Sequence, residues 1–221
     1  MIGPIIVSIV SVSKAKEGKL SRMGVRDSKM LTRRRRKFLL EEINAIADEV
    51  KVYSISNSEI NEAMRNKISI NELEALNFAR LIDSVSIIPE KIYLDSPDVV
   101  PERFGLRIKL LSKKNMRIEG VPQSRKERHP GSIKIISEHK ADARYPVVSA
   151  ASIVAKTTRD AEIEGIADEL GMDIGSGYPS DRYTIDAIKA DLSKNVLSPY
   201  IRNYWKTMSL IKQMKIDDFI S

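Results

Sequence analysis

Two aspartates stand at the ends of apolar runs, where a fold could present a carboxylate. Asp95 closes the apolar run Ile92-Tyr93-Leu94, and strand ends are where a rigid scaffold presents functional groups. An aspartate before Ser96-Pro97 is also a good turn former, which is its commoner use. Asp142 lies in Glu138-His-Lys-Ala-Asp-Ala143, between an apolar strand and a helix. Taken alone, it fits a solvated loop acid or a helix cap at least as well. No local spacing rule joins the two, so only the fold can bring them together. Tyr178 stands in the turn Gly175-Ser-Gly-Tyr-Pro179, where a ring can stack on a sugar or base or plug the core. Arg33 to Arg36 open a helix. Four cations there oppose the helix dipole at about 0.3–1 kcal/mol each; either a phosphate partner or plain solvation accounts for them. His129 and His139 have no ligand-like spacing and read as non-metal residues.

Alternating strands and helices must position these groups. Ile2 to Val12 reads as a strand, as do Val50 to Ile55, Lys91 to Leu94 and Ser132 to Ser137. Lys14 to Asp27, polar with two glycines, reads as a loop. Thr32 caps a helix to about Glu49, and Asn57 to Arg65 forms a short one. Ser69-Ile-Asn-Glu72 matches a capping box opening a helix through about Val85. Val100 to Leu111 reads as a short helix, and Ser112 to Gly131 as a basic loop or β-hairpin. A helix from Ser149 to Leu170 begins with small residues that let it lie close to a sheet. Two more follow, about Asp181 to Lys194 and Tyr200 to Gln213. This is an α/β pattern with a helical C-terminal part.

The bulk numbers narrow the chemistry. The chain has 221 residues, 42% of them hydrophobic, which allows a full core, but only 5% aromatic, so aliphatic side chains must fill it. A net charge of +7 and a pI near 9.5 favour a polyanionic partner, since each neutralised phosphate releases counterions. The absence of cysteine excludes disulfides, thiolate metal sites and cysteine nucleophiles, and fits a reducing compartment. No apolar run reaches the roughly 18 residues of a membrane span. The apolar start lacks the basic flank and cleavage site of a signal peptide.

Taken in order, several stretches resemble the archaeal type of ribonuclease HII across about Ile2 to Thr207. They are Gly24-Val-Arg-Asp-Ser-Lys-Met-Leu-Thr32, Asn71-Glu-Leu-Glu-Ala75, Tyr93-Leu-Asp-Ser96, Glu138-His-Lys-Ala-Asp-Ala-Arg-Tyr-Pro-Val-Val-Ser-Ala-Ala-Ser-Ile-Val-Ala-Lys156, Gly175-Ser-Gly-Tyr-Pro-Ser-Asp181 and Trp205-Lys-Thr207. The resemblance implies an α/β, ribonuclease H-like mixed sheet flanked by helices (residues 1–180) with a helical C-terminal extension (181–221). It implies two-metal-ion hydrolysis, with Mg²⁺ or Mn²⁺, of the RNA strand of RNA–DNA hybrids and of duplex DNA at embedded ribonucleotides, leaving a 3′-hydroxyl and a 5′-phosphate. It places metal-binding, catalytic carboxylates at Asp95 and Asp142, a phosphate contact at Lys29, and a sugar contact at the RNA–DNA junction at Tyr178. It also implies a cytoplasmic monomer without a membrane partner. A sliding-clamp contact at Gln213-Met-Lys-Ile-Asp-Asp-Phe219 is a looser match.

One departure bears on the chemistry. The family begins with a strand bearing Asp-Glu-Ala-Gly-Arg-Gly-Pro, a hydrophobic residue and Ile-Gly-Pro, whereas this sequence opens Met1-Ile-Gly-Pro4. Two of four metal-binding carboxylates and the Gly-Arg-Gly backbone are therefore not in it. The natural chain is expected to start upstream, and a sheet without that strand is expected to fold poorly, as each buried unpaired backbone group costs about 1–3 kcal/mol. The same loss leaves open a chain that binds hybrids without cutting them. The intact mass of the protein from its native cell checks the first expectation, and 24.9 kDa would overturn it.

Overall fold

A computed structural model describes residues 1–25, 31–122, 131–205, 207–211 and 213. The order is β1 (Ile5–Ser11), α1 (Lys14–Arg22), α2 (Arg33–Ile46), β2 (Glu49–Ile55), α3 (Asn57–Arg65), α4 (Ile70–Ser84), β3 (Lys91–Asp95), α5 (Pro101–Leu111), β4 (Met116–Ile118), β5 (Ile133–Glu138), α6 (Ala141–Arg144), α7 (Pro146–Leu170), α8 (Arg182–Asp191) and a 3₁₀ turn, Ser198–Tyr200. β1 and β2 form one sheet; β3, β5 and β4, in that order, form another. Among the described residues no strand joins the two sheets.

The chain divides into two compact units. One holds residues 7–53 and 71–157. Its three-stranded sheet is wholly parallel, with β5 in the middle. Phe104, Ile108, Met116, Ile118, Ile133 and Ile135 bury one face, together with Ala75, Ala79 and Ile82 of α4. Gly105 lets α5 approach: a Cβ there would lie 3.3 Å from both Ile135 and Ser137. A second cluster joins Val10, Leu20, Leu39 and Ile43 to Ala150, Ile153 and Val154 of α7, so the small residues at the start of α7 do serve close packing.

The other unit holds residues 1–6, 54–70 and 158–221. Its core is Ile2, Ile163, Ile166, Ile174, Ile188, Leu197, Ile201 and their neighbours. Ile2 bridges Ile201 in antiparallel fashion, and the side-chain amides of Asn57 and Asn61 donate to the carbonyls of Tyr200 and Ile201 at 2.7 and 2.9 Å.

Four sequence expectations need correction. Lys14–Arg22 is a helix rather than a loop: Leu20 is buried, and Asp48 grips its first turn by accepting from Ser13 N and Lys16 Nζ, both at 2.5 Å. The basic loop or hairpin contains a short edge strand, β4, which runs parallel to β5 and so makes no hairpin with it. The long helix starts at Pro146, three residues early. The final helix does not begin at Tyr200, which ends the 3₁₀ turn; residues 207–211 are helical.

Two predictions arise here. Thr32 caps α2 by accepting from Arg35 N at 3.2 Å. Thr32→Ala is expected to cost about 1 kcal/mol in a urea melt. The second concerns the amine at Met1, whose residue is 8% exposed. Burial, then the charges of Arg202 and Arg159, lower its pKa from 8.0 to about 6. Between pH 6 and 8 the unfolded chain therefore binds more protons than the folded one, so stability rises with pH across that window and levels off below it. A chain with a free amine at Met1 should gain about 1–2 kcal/mol from pH 6 to 8, once solvent screening is allowed for. Acetylating that amine should remove the rise in melting temperature.

Candidate active site

β3 is five residues long and ends on Asp95, with Leu94 turned into the core. Its parallel pairing with β5 sets Asp95 beside Glu138, and Ser96 N donates to Glu138 O at 2.9 Å. Just past β5 the chain turns at Lys140, in the left-handed region at φ 55°, and starts α6. Asp95 Oδ1 accepts from Ala141 N at 3.1 Å. The next residue is Asp142, which is buried. One hydrogen bond thus ties the first carboxylate to the residue before the second, across 46 positions of sequence.

The surrounding groups hold this end of the sheet in place. Glu138 accepts from Arg144 Nη1 at 2.5 Å and from Tyr145 OH at 3.2 Å. The Tyr145 ring lies against Tyr93, centroids 4.2 Å apart. Burial, then the Glu138 carboxylate, raises the Tyr145 pKa, which keeps its hydroxyl a donor. Asp98, buried in the β3–α5 loop, pairs with Arg107 at 3.0 Å and accepts from Asn71 Nδ2 at 2.7 Å. It braces the loop, a role its sequence context did not reveal. His139 Nε2 lies 3.3 Å from Val99 O.

The carboxylates of Asp95 and Asp142 are hard oxygen donors of the kind Mg²⁺ and Mn²⁺ take. They suit one such ion in kind. Among the described residues no group of three or more His, Cys, Asp or Glu could hold a metal, so these residues do not by themselves make a two-ion centre.

Tyr178 belongs to the other unit and is 40% exposed. Its turn is locked from several sides. Gly175 and Gly177 take φ of 62° and 75°. Asp181 accepts from Ser176 N at 2.6 Å and from Tyr183 N at 3.0 Å, bonds that hold its pKa below the ordinary value, the Ser176 amide first. Thr184 Oγ1 accepts from Gly177 N and donates to Ile174 O, both at 2.9 Å. Beneath the ring lies Arg159, its guanidinium 3.8 Å from the centroid, donating to Ser176 O and Ile2 O at 3.1 and 3.3 Å. Nothing in the local sequence announces Arg159, which sits inside a long helix.

Lys29 lies outside the described residues, as do His129 and most of the proposed clamp segment. Of the arginine run, Arg36 Nη1 donates to Leu31 O at 2.6 Å, Arg35 Nη2 reaches Met23 O at 3.5 Å, and Arg35 lies over Phe38. At least these two serve local structure. Among the described residues no helix is long and apolar enough to cross a membrane.

Residues 1–208 match the family model described as ribonuclease HII. Ribonuclease HII of Pyrococcus furiosus is 40% identical over 213 residues, 96% of this chain and 86% of its own length. The crystal structure of ribonuclease H2 from Pyrococcus horikoshii OT3 superposes with a TM-score of 0.79 at 36% identity, covering 96% of this chain and 92% of that one. The Archaeoglobus fulgidus RNase HII in a PCNA:RNase HII complex superposes at 0.78 with 37% identity, covering 99% and 94%. With an α/β fold to match, and Asp95 and Asp142 brought to one end of its parallel sheet, the chain belongs to the ribonuclease HII family.

Proposed function

We propose that this chain is an endoribonuclease that hydrolyses the RNA strand of RNA–DNA hybrids and single ribonucleotides embedded in duplex DNA, leaving 3′-hydroxyl and 5′-phosphate ends. The observation that carries this reading is the bond from Ala141 N to Asp95 Oδ1, which draws the two carboxylates to one sheet end in a chain of this family. Asp95 and Asp142 would hold Mg²⁺ or Mn²⁺. A divalent ion there supplies charge stabilisation at the attacking and leaving oxygens and lowers the pKa of bound water. The two-ion form of that chemistry calls for carboxylates beyond this pair. Lys29 contacts a phosphate. Tyr178, backed by Arg159, offers its ring to the sugar at the RNA–DNA junction, where the 2′-hydroxyl distinguishes RNA from DNA. The protein acts as a cytoplasmic monomer. The Archaeoglobus fulgidus relative is found in a PCNA complex, and residues 213–219 are the segment by which this chain would meet a sliding clamp.

A second reading, binding to hybrids without cleavage, is favoured by one observation: the described residues assemble no three-donor metal site. One experiment separates the two. The chain is incubated in Mn²⁺ with a duplex carrying one embedded ribonucleotide, and cleavage and binding are followed together. Cleavage 5′ of the ribonucleotide with a 3′-hydroxyl product supports the first reading. Binding with no cleavage supports the second, and neither binding nor cleavage removes both.

A further inference from the structure

The parallel register of the three-stranded sheet lines up three cations. Lys91 of β3 stands beside Lys134 of β5, and Lys134 beside Arg117 of β4. Registered residues of neighbouring strands project from the same face about 4.8 Å apart, and like charges so placed are mutually destabilising. Met116 and Ile118 point into the core on the opposite face, so this row is no by-product of core packing. It lines a cavity of about 450 Å³ together with Glu90, Gly131 and Ser132. Two residues of that lining, Arg117 and Ser132, each carry a buried donor, Nε and Oγ, with no hydrogen-bond partner among the described residues. Ser132 as a whole is 8% exposed.

The acids nearby only partly balance the row. Glu119 holds Lys134 at 2.5 Å, and Glu90 lines the cavity. Among the described residues three cations thus line up with Glu119 and Glu90 as their neighbouring carboxylates, Glu17 lying further along beside Tyr93, and two donors remain unsatisfied. A buried donor left without an acceptor costs about 1–3 kcal/mol, more when charged. An oxyanion in the cavity relieves the repulsion along the row, and a small turn of the Arg117 and Ser132 side chains brings their donors to its oxygens.

We propose that Lys91, Arg117, Lys134 and Ser132 form a phosphate-binding site separate from the carboxylate end of the sheet. Alternation along β3 puts Lys91 and Asp95 on the same face, four residues apart, or roughly 13 Å at 3.3 Å per residue. The site therefore does not share the carboxylates' ligands. The phosphate can come from a nucleic-acid backbone or be free in solution, and the proposal does not depend on cleavage.

The test uses the whole chain, Lys91→Gln, Arg117→Gln, the double variant, Arg117→Lys, and Lys189→Gln as a control of equal charge on an exposed helix position. Melting curves first establish that each variant folds, and exposed Lys91 gives a variant that should do so even if Arg117→Gln does not. Each is titrated with a fluorescent all-DNA duplex at several salt concentrations, and separately melted with inorganic phosphate at constant ionic strength. For a backbone phosphate, Lys91→Gln and the double variant bind duplex about threefold to tenfold more weakly, the salt slope falls by about one per cation removed, and Lys189→Gln changes neither. For free phosphate, added phosphate raises the melting temperature of the native chain but not of the double variant, with duplex affinity unchanged. Arg117→Lys should restore only part of either effect, since it keeps the charge and loses Nε. If phosphate fails to stabilise the native chain and the variants bind duplex no differently from Lys189→Gln, the proposal is overturned.

Discussion

Replacing Asp95 or Asp142 by asparagine should lower single-turnover cleavage of an embedded ribonucleotide in Mn²⁺ by roughly a thousandfold or more. Metal-assisted stabilisation of a phosphodiester transition state is worth several kcal/mol, and about 4 kcal/mol corresponds to that factor. Asparagine keeps the size of the side chain, and at position 95 it keeps an oxygen able to accept from Ala141 N. The loss should therefore come without a comparable fall in melting temperature, and with duplex binding largely retained. Asp98→Asn is the contrast. It weakens the pair with Arg107 and should lower stability more than cleavage per folded molecule. If Asp95→Asn and Asp142→Asn cut at the native rate, the assignment of both carboxylates is wrong.

A large stability effect is expected from Gly177→Ala. At φ +75° an L-residue is strained, and the added Cβ would sit 2.8 Å from Ile163 Cδ1, 2.8 Å from Ile2 O and 2.9 Å from Arg159 Nη2. Ile2 O is backbone, held by Arg159, so it cannot yield cheaply. Left-handed strain of about 1–2 kcal/mol adds to overpacking of about 1–3 kcal/mol, giving a loss of roughly 2–5 kcal/mol in chemical denaturation. Gly171→Ala separates the two contributions. Its φ is +60°, but nothing lies within 4 Å of the added Cβ, so it should cost only about 1–2 kcal/mol. Equal losses at the two positions would mean that the contacts around Gly177 do not matter. Because Arg159 also underlies the Tyr178 ring, Gly177→Ala should weaken hybrid binding beyond what its stability loss explains.

Much of the framework was legible in the residues themselves. Ile/Val-rich runs with turn residues at their ends marked β1, β2, β3 and β5 to within a few positions, because apolar β-branched residues suit a buried pleat. Thr32 was readable as the cap of α2 because its hydroxyl satisfies an amide only three residues away. The order of the motifs was enough to indicate the family, and Asp95 was recognisable as a strand-end group because an apolar run stops on it.

Tertiary structure decided what depends on distant partners. Helix α1 has one buried residue, Leu20, and is anchored by Asp48, more than 30 positions away, so no local periodicity could show it. β4 is three residues long and exists through its register with β5. The meeting of Asp95 with the residue before Asp142, the seating of Tyr178 on Arg159, and the row Lys91–Lys134–Arg117 are all non-local. The sequence by itself determined which groups are available and which short elements present them, because capping, turn chemistry and strand preference act over a few residues. Only the folded chain decided which of those groups share a site, because that depends on sheet register and helix packing, and these are chosen by the burial of whole faces.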